Sequence, residues 1–217
     1  MRIRLLGPLE ITADGVPVDL GGPRQQRVAA CLIVASPHPL SVDRLIDEVW
    51  GNRPPATAVH VVSTYVSNLR KVLGERIVSE DGRHRIELSD DYVDAVVFSD
   101  LLERGRDQLE SDPAKARLLL GEAVRLWIDR PLGDLGDESP MLRLWSERLE
   151  ELRLQAIELR MTAQLDLGDH DQVVPELRSL VETHPYREHF WAQLMLALYR
   201  SGRQAEALQT ASSLRDL

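Results

Sequence analysis

The sequence predicts a mostly helical protein with a small amount of β-structure, divided into two domains. Three observations support this fold class. Strand-like runs with tight turns are confined to the first 93 residues, long segments with helical periodicity fill the rest, and the helical half repeats itself at a fixed offset. The chain has 217 residues, 43% of them hydrophobic, and can form two modest cores, which we assign to residues 1–93 and 94–217.

The first domain is expected to begin with a hairpin and to continue with three helices. Residues 2–11 and 16–20 are strand-like and flank the turn dipeptide Asp14-Gly15. Pro23 follows two glycines and suits a first helical turn. The expected helices cover residues 24–35, 42–50 and 56–73.

The third of these helices carries the candidate binding face. Its apolar residues recur at spacings of three and four, which predicts a buried stripe formed by Val59, Val62, Val66, Leu69 and Leu73. The opposite face holds short or flexible polar groups that can enter a DNA major groove and bind base edges or phosphates. These residues are His60, Ser63, Thr64, Ser67, Asn68 and Lys71, with Arg70 beside them. Positions 56–73 contain no acidic residue, so no carboxylate would repel phosphate there.

A second hairpin is expected after the third helix. Residues 77–79 and 85–88 are strand-like, and the pair Asp81-Gly82 is typical of a tight turn. The residues expected at the hairpin tip are Arg83, His84 and Arg85. A hairpin in this place can reach an adjacent minor groove, whose negative potential attracts arginine. The alternative is an exposed loop without a partner.

The net charge of −9 comes almost entirely from the second half of the chain. Residues 1–93 carry 11 basic and 12 acidic side chains, whereas residues 94–217 carry 15 and 23. Within the first half, residues 53–85 carry six basic and three acidic side chains, which is compatible with nucleic acid. A charge cluster alone is more often a solvated surface, so it indicates DNA binding only together with the pattern of the third helix.

The second half is predicted to be all helical and to contain a repeat. Its expected helical segments are residues 98–109, 114–127, 140–167, 173–184 and 190–214. Ala163 aligns with Ala197, and Gly168 with Gly202, at an offset of 34 residues. This offset is the period of tetratricopeptide repeats, whose stacked helix pairs form surfaces that bind protein.

The sequence lacks the residue combinations of a reactive thiol, a phosphate-binding loop or a zinc site. Cys31 lies in an apolar run and is expected in the core. The segment at residues 21–24 lacks the lysine and hydroxyl of a phosphate-binding loop, and His184 and His189 have no companion ligands for zinc. We therefore expect no enzyme activity, no cofactor and no metal. The sequence has no apolar run of about 20 residues and no signal-peptide core. We therefore expect a cytoplasmic protein without a membrane partner.

The order of hairpin, three helices and hairpin resembles the winged helix-turn-helix of response-regulator output domains. Longer motifs resemble the Streptomyces antibiotic regulatory protein family, namely GPRQQR at 22–27, SVDRLIDEVWG at 41–51, PPATA at 54–58 and YVSNLRKVLG at 65–74. Segments 126–135, 149–154 and 192–208 resemble the bacterial transcriptional activation domain of that family. Two departures concern DNA-facing positions: the family commonly has a basic residue in place of Asn68, and a Gly-Tyr-Arg-Leu type sequence where this chain has Arg83-His84-Arg85-Ile86.

The resemblance implies a promoter-specific activator of a secondary-metabolite gene cluster, such as one for an antibiotic. It implies binding to direct repeats in double-stranded promoter DNA, with a second protomer side by side on the DNA and with the protein located at the nucleoid. The third helix would read bases through Ser63, Thr64, Ser67 and Asn68, while His60, Arg70, Lys71 and residues 83–85 hold phosphates and the minor groove.

The resemblance also implies contact with RNA polymerase, including its sigma subunit. The implied polymerase-facing residues are Gly51, Asn52, Arg53 and Thr57. Because family members continue past the last helix, we expect a second domain cut short at its C-terminus. The alternative function is a tetratricopeptide-type adaptor for protein interaction whose winged helix does not bind DNA.

Overall fold

The structure, a computed structural model, describes residues 1–88 and 91–216 and is mostly helical with two small sheets. This confirms the predicted fold class of a winged-helix region followed by a helical domain. Contacts divide the chain into two units, Met1–Val97 with Leu126–Glu151 and Phe98–Arg125 with Leu152–Leu217. The sequence suggested one boundary at residue 93 between two continuous domains, whereas each of these units consists of two separate stretches of the chain. Leu217, where the second expected domain ends, lies outside the described residues.

The first unit contains three complete α-helices and two small sheets. Its helices are α1 (Pro23–Ala35), α2 (Val42–Trp50) and α3 (Ala58–Leu73). Its strands are β1 (Arg2–Arg4), β2 (Glu10–Ala13), β3 (Val16–Pro17), β4 (Leu40–Ser41), β5 (Ile77–Glu80), β6 (Arg83–Ile86) and β7 (Tyr92–Val93). The strand orders are β3-β2-β1-β7 and β4-β6-β5. The strand expected over residues 2–11 is thus two strands, and α3 begins two residues later than expected.

Local chemistry determines where these elements start and stop. The Ser41 side chain accepts a hydrogen bond from the Arg44 amide at 3.1 Å and so caps α2, while Gly51 ends that helix with a φ of 57°. Asp81 and Gly82 both have positive φ values, 48° and 70°. Two such residues form the tight turn that matches the twist of paired strands, so β5 and β6 form a two-residue hairpin.

Polar contacts hold residues 126–151 against α1 and α2 of the first unit. Glu48 on α2 is only 2% exposed, and its carboxylate accepts hydrogen bonds from the Ser139 hydroxyl at 2.5 Å and the Met141 amide at 3.0 Å. Arg27 on α1 donates to the Val49 carbonyl at 2.7 Å and pairs with Glu138. A buried carboxylate is tolerated only when it has such partners, so these contacts are part of the core.

The remaining helices are α4 (Asp94–Gln108), α5 (Pro113–Arg125), α6 (Pro140–Asp166), α7 (His170–Thr183), α8 (Glu188–Arg200) and α9 (Gln204–Arg215). The segment expected as one helix over residues 190–214 is two, because a turn at Gly202 separates α8 from α9. Gly168 and Gly202 have φ values of 88° and 75°. The amides one residue later bond to equivalent carbonyls, Asp169 to Gln164 at 3.0 Å and Arg203 to Leu198 at 2.9 Å. The offset of 34 residues therefore corresponds to a repeated turn.

Candidate nucleic-acid interface

Helix α3 has one buried face, as the spacing of its apolar residues predicted. Val62, Val66, Leu69 and Leu73 are at most 2% exposed. The prediction was wrong for Val59, which is 58% exposed. The helix begins at Ala58, and this smaller side chain, 5% exposed, occupies the buried position of the first turn. Val59 therefore lies beyond the edge of the core.

The opposite face of α3 presents hydroxyl and basic groups to solvent. His60, Ser63, Thr64, Ser67 and Lys71 are all exposed. The hydroxyl of Ser63 donates to the Val59 carbonyl and that of Thr64 to the His60 carbonyl, both at 2.9 Å. A serine or threonine oxygen that has donated its hydrogen still accepts. In a major groove these two oxygens can therefore accept from the amino groups of adenine or cytosine.

Asn68 is half-buried and tied to the first helix. Its amide nitrogen donates to the Gln25 carboxamide oxygen at 3.3 Å, and its own oxygen accepts from the Lys71 ammonium at 3.2 Å. Gln25 in turn donates to the Leu20 carbonyl at 2.9 Å. An asparagine has two donors and two acceptor sites, so one of each is still available. Gln25 could not be identified from the sequence as a neighbour of Asn68, because nothing in the local pattern shows which residue lies beside that asparagine.

An aromatic pair joins α2 to α3 beside this face. The Trp50 and Tyr65 rings are stacked, with centroids 6.4 Å apart and planes inclined by 15°. The guanidinium of Arg24, an exposed residue of α1, lies 6.0 Å from the Trp50 ring centroid. Stacked aromatic rings and a nearby cation attract one another. This contact adds a positive charge that the sequence analysis had not assigned to the interface.

The hairpin of β5 and β6, here called the wing, differs from its expected form. Its tip consists of Asp81 and Gly82, so the expectation that Arg83, His84 and Arg85 occupy the tip was wrong: all three lie in β6. Turn chemistry explains this, because the two positive-φ residues of the hairpin leave Arg83 as the first paired residue. Successive side chains of a strand point to opposite faces, so His84 shares a face with buried residues and the two arginines lie on the other.

The two wing arginines differ in their partners. Arg85 is half-buried and pairs with the Glu87 carboxylate at 2.6 Å, which offsets part of its charge. Arg83 is exposed, and within the described residues its side chain has no hydrogen bond or ion pair. Arg83 is therefore the wing arginine whose full charge faces solvent.

Arg70 and His84, which the sequence placed among DNA-facing groups, are joined within the protein. Arg70 donates to the Ile77 carbonyl at 3.2 Å and to the Ser79 hydroxyl at 2.5 Å. The Ser79 oxygen lies 2.7 Å from the His84 Nδ1 atom. Partial burial and the charge of Arg70 hold the pKa of His84 below its ordinary value.

The loop between α2 and α3 brings the expected polymerase-facing residues together. Gly51, Asn52, Arg53 and Thr57 are all exposed. The Arg53 amide bonds to the Trp50 carbonyl at 3.3 Å, so the loop begins with a tight turn. Over residues 1–88 and 91–216, no helix is long and apolar enough to cross a membrane, and no group of three or more histidine, cysteine, aspartate or glutamate residues could hold a metal ion.

A three-helix core with a wing after its third helix, followed by repeated helix pairs, defines the class of transcriptional regulators that join a winged helix-turn-helix to a helical domain. Residues 16–88 match the family model "Transcriptional regulatory protein, C terminal", and residues 93–217 match "Bacterial transcriptional activator domain". The chain belongs to the Streptomyces antibiotic regulatory protein family of transcriptional regulators. The members of this family are regulators rather than enzymes.

Similar proteins cover the chain almost completely. It is 38% identical to the regulatory protein AfsR of Streptomyces coelicolor over its full length, but spans only 22% of AfsR. It is 33% identical to the regulatory protein DnrI of Streptomyces peucetius, with 99% of this chain and 84% of DnrI covered. Among solved structures, Mycobacterium tuberculosis EmbR in complex with a low-affinity phosphopeptide matches with a TM-score of 0.93 and 32% identity, covering 98% of this chain and 58% of that one.

Proposed function

We propose that this protein is a sequence-specific DNA-binding activator that uses α3 as its recognition helix. The observation that carries the proposal is the composition of the exposed face of α3, which presents hydroxyl and basic groups and no carboxylate. Hydroxyl groups bind base edges, and cations bind phosphates. An ordinary solvated helix face would include acidic side chains.

The exposure and hydrogen bonds of these side chains indicate which of them we assign to bases and which to phosphates. Ser63, Thr64 and Ser67 are exposed, and we assign them to base edges together with the remaining donor and acceptor of Asn68. His60, Lys71 and the wing arginines are assigned to phosphates and the minor groove. A phosphate contact supplies affinity that falls with salt, because binding releases counterions. Replacing Lys71 by Ala should therefore reduce the slope of log affinity against log salt by about 1.

Further proposals concern the promoter and the transcription machinery. We propose direct repeats in promoter DNA as the site, occupied by two protomers side by side, and a location at the nucleoid. The exposed loop of Gly51, Asn52, Arg53 and Thr57 is the proposed contact for RNA polymerase and its sigma subunit. The regulated genes would form a secondary-metabolite cluster, as the family membership suggests.

The test is selection of bound sequences from a pool of random duplex DNA, followed by affinity measurement on the enriched site. The test variant carries Ser67→Glu and Lys71→Glu, which places two carboxylates on the recognition face. The matched control carries Ser212→Glu and Arg215→Glu on the exposed end of α9. Both pairs replace one serine and one basic residue by glutamate, so they change the net charge equally.

The expected result is enrichment of a repeated half-site by the wild type and the control, with loss of enrichment in the test variant. Loss in both variants would point to net charge rather than to the α3 face. No enrichment by the wild type would favour the adaptor function, in which the winged helix does not bind DNA.

A further inference from the structure

We infer that Arg70, Ser79 and His84 are positioning residues that hold the wing in a fixed orientation to α3 and thereby set the wing's contribution to DNA affinity. This inference rests on the proposed function, because the wing matters for affinity only if α3 binds DNA. It gives these three residues a role that needs no contact with base or phosphate.

The three side chains form one continuous hydrogen-bonded connection from the recognition helix to both strands of the wing. Arg70 lies in the last turn of α3, Ser79 in β5 and His84 in β6. Ser79 and His84 are directly opposite in the register of the hairpin. The Arg70 guanidinium also donates to the Ile77 carbonyl, so it contacts β5 at two points. Two contacts on one planar group restrict its orientation.

The direction of one of these hydrogen bonds follows from the groups involved. A guanidinium only donates, so the Ser79 oxygen accepts from Arg70. A hydroxyl oxygen has two acceptor sites, so the contact between Ser79 and Nδ1 of His84 forms either with the Ser79 hydroxyl as donor or with an Nδ1–H as donor. In both cases the Ser79 oxygen joins Arg70 to His84.

The wing is attached elsewhere by its backbone to the start of α2. β6 pairs with β4, in which Leu40 is opposite His84 and Ser41 is opposite Arg83. β5 is an edge strand of this sheet. A short segment, Gly74–Arg76, links β5 to α3, and Gly74 has a φ of 70°. Side-chain contacts from Arg70 therefore add a direct restraint between the edge strand and the recognition helix.

The exposure of Arg70 and Ser79 indicates that their contacts position the wing rather than stabilise the fold. Arg70 and Ser79 are exposed, and hydrogen bonds between exposed groups contribute little to the free energy of unfolding. We expect these contacts to affect DNA affinity more than stability. They fix the orientation of the wing, and the wing carries the exposed guanidinium of Arg83, four residues beyond Ser79 across the turn. A contact that must be reordered on binding costs affinity even when the protein remains folded.

The experiment is a double-mutant cycle on the selected duplex with Ser79→Ala and Arg83→Ala, read out by affinity and by the selected sequence flanking the core site. Ser79→Ala should weaken binding about tenfold, the order expected for one lost contact. The double variant should bind no more weakly than Arg83→Ala alone, because the wing has already lost its contact. Ser79→Thr, which keeps the hydroxyl, should restore wild-type affinity and flanking preference.

A second measurement uses the free protein. Nuclear magnetic resonance of the histidine ring nitrogens should show a hydrogen bond at Nδ1 of His84 in the wild type that is lost in Ser79→Ala, and amide relaxation of residues 80–83 should show greater motion in Ser79→Ala than in Ser79→Thr. Wild-type affinity for Ser79→Ala, additive losses in the cycle, or an unchanged wing in the free variant would overturn the inference while leaving the proposed function intact. A wild-type protein that binds no duplex would overturn both.

Discussion

Glu48→Ala is expected to destabilise the first unit by removing the acceptor of two hydrogen bonds. The carboxylate is 2% exposed and accepts hydrogen bonds from the Ser139 hydroxyl and the Met141 amide. A buried donor left without a partner costs about 1–3 kcal/mol. Removal of the buried carboxylate also relieves the cost of keeping it out of water, which offsets part of the loss. We therefore expect the free energy of unfolding to fall by about 3 kcal/mol.

Urea unfolding followed by tryptophan fluorescence is the assay. Trp50, Trp127 and Trp145 all belong to the first unit, so the signal mainly reports that unit. Glu48→Gln keeps the volume and one acceptor oxygen, and its loss should be about half as large. Hydrogen exchange at the Met141 amide should be faster in Glu48→Ala, because this amide has lost its acceptor.

Asp47→Ala is the matched control, because Asp47 is an exposed carboxylate on the same helix. Substitutions at exposed positions usually change stability by less than about 0.5 kcal/mol. If Glu48→Ala and Asp47→Ala unfold at the same urea concentration, the buried contacts do not hold residues 126–151 in place and the reasoning fails.

Three further predictions concern packing, thiol chemistry and pH. Gly105→Ala would place a methyl group 2.6 Å from the Leu120 side chain and should destabilise by about 1–3 kcal/mol. Gly121→Ala has space and should stabilise its helix by up to about 1 kcal/mol; equal melting temperatures would contradict this contrast. Burial raises the pKa of Cys31 to about 12, so a disulfide reagent should react with it only after unfolding, and rapid modification of the native protein would be the opposite result. In the folded protein the pKa of His84 is lowered by burial and a nearby guanidinium. In the unfolded chain this histidine has its ordinary pKa of about 6.5, so below that pH the unfolded state binds more protons than the folded state. Unfolding free energy should therefore fall as the pH drops below about 6.5, less so in His84→Gln, and equal pH profiles of the two proteins would refute this.

The parts of this fold that depend on neighbouring residues could be predicted from the sequence. Helix α2 has its expected bounds of 42 and 50, and both Asp-Gly turns lie where they were expected, because hydroxyl caps and positive φ values are properties of single residues and their neighbours. The buried stripe of α3 follows from helical periodicity, and Cys31 lies in the core as its apolar surroundings indicated. The repeated turn of the helical half follows from two glycines at one offset.

Only the tertiary structure determines which polar side chains form hydrogen bonds with each other. Glu48 and Ser139 are 91 residues apart in the chain, and no local pattern shows that the two will form a buried hydrogen bond. The same holds for the partners of Arg70, which the sequence assigned to DNA and which the fold brings to the wing. Periodicity tells which side of a helix is buried, but a polar contact depends on the position and direction of two distant side chains. Those quantities exist only once the helices and strands have packed.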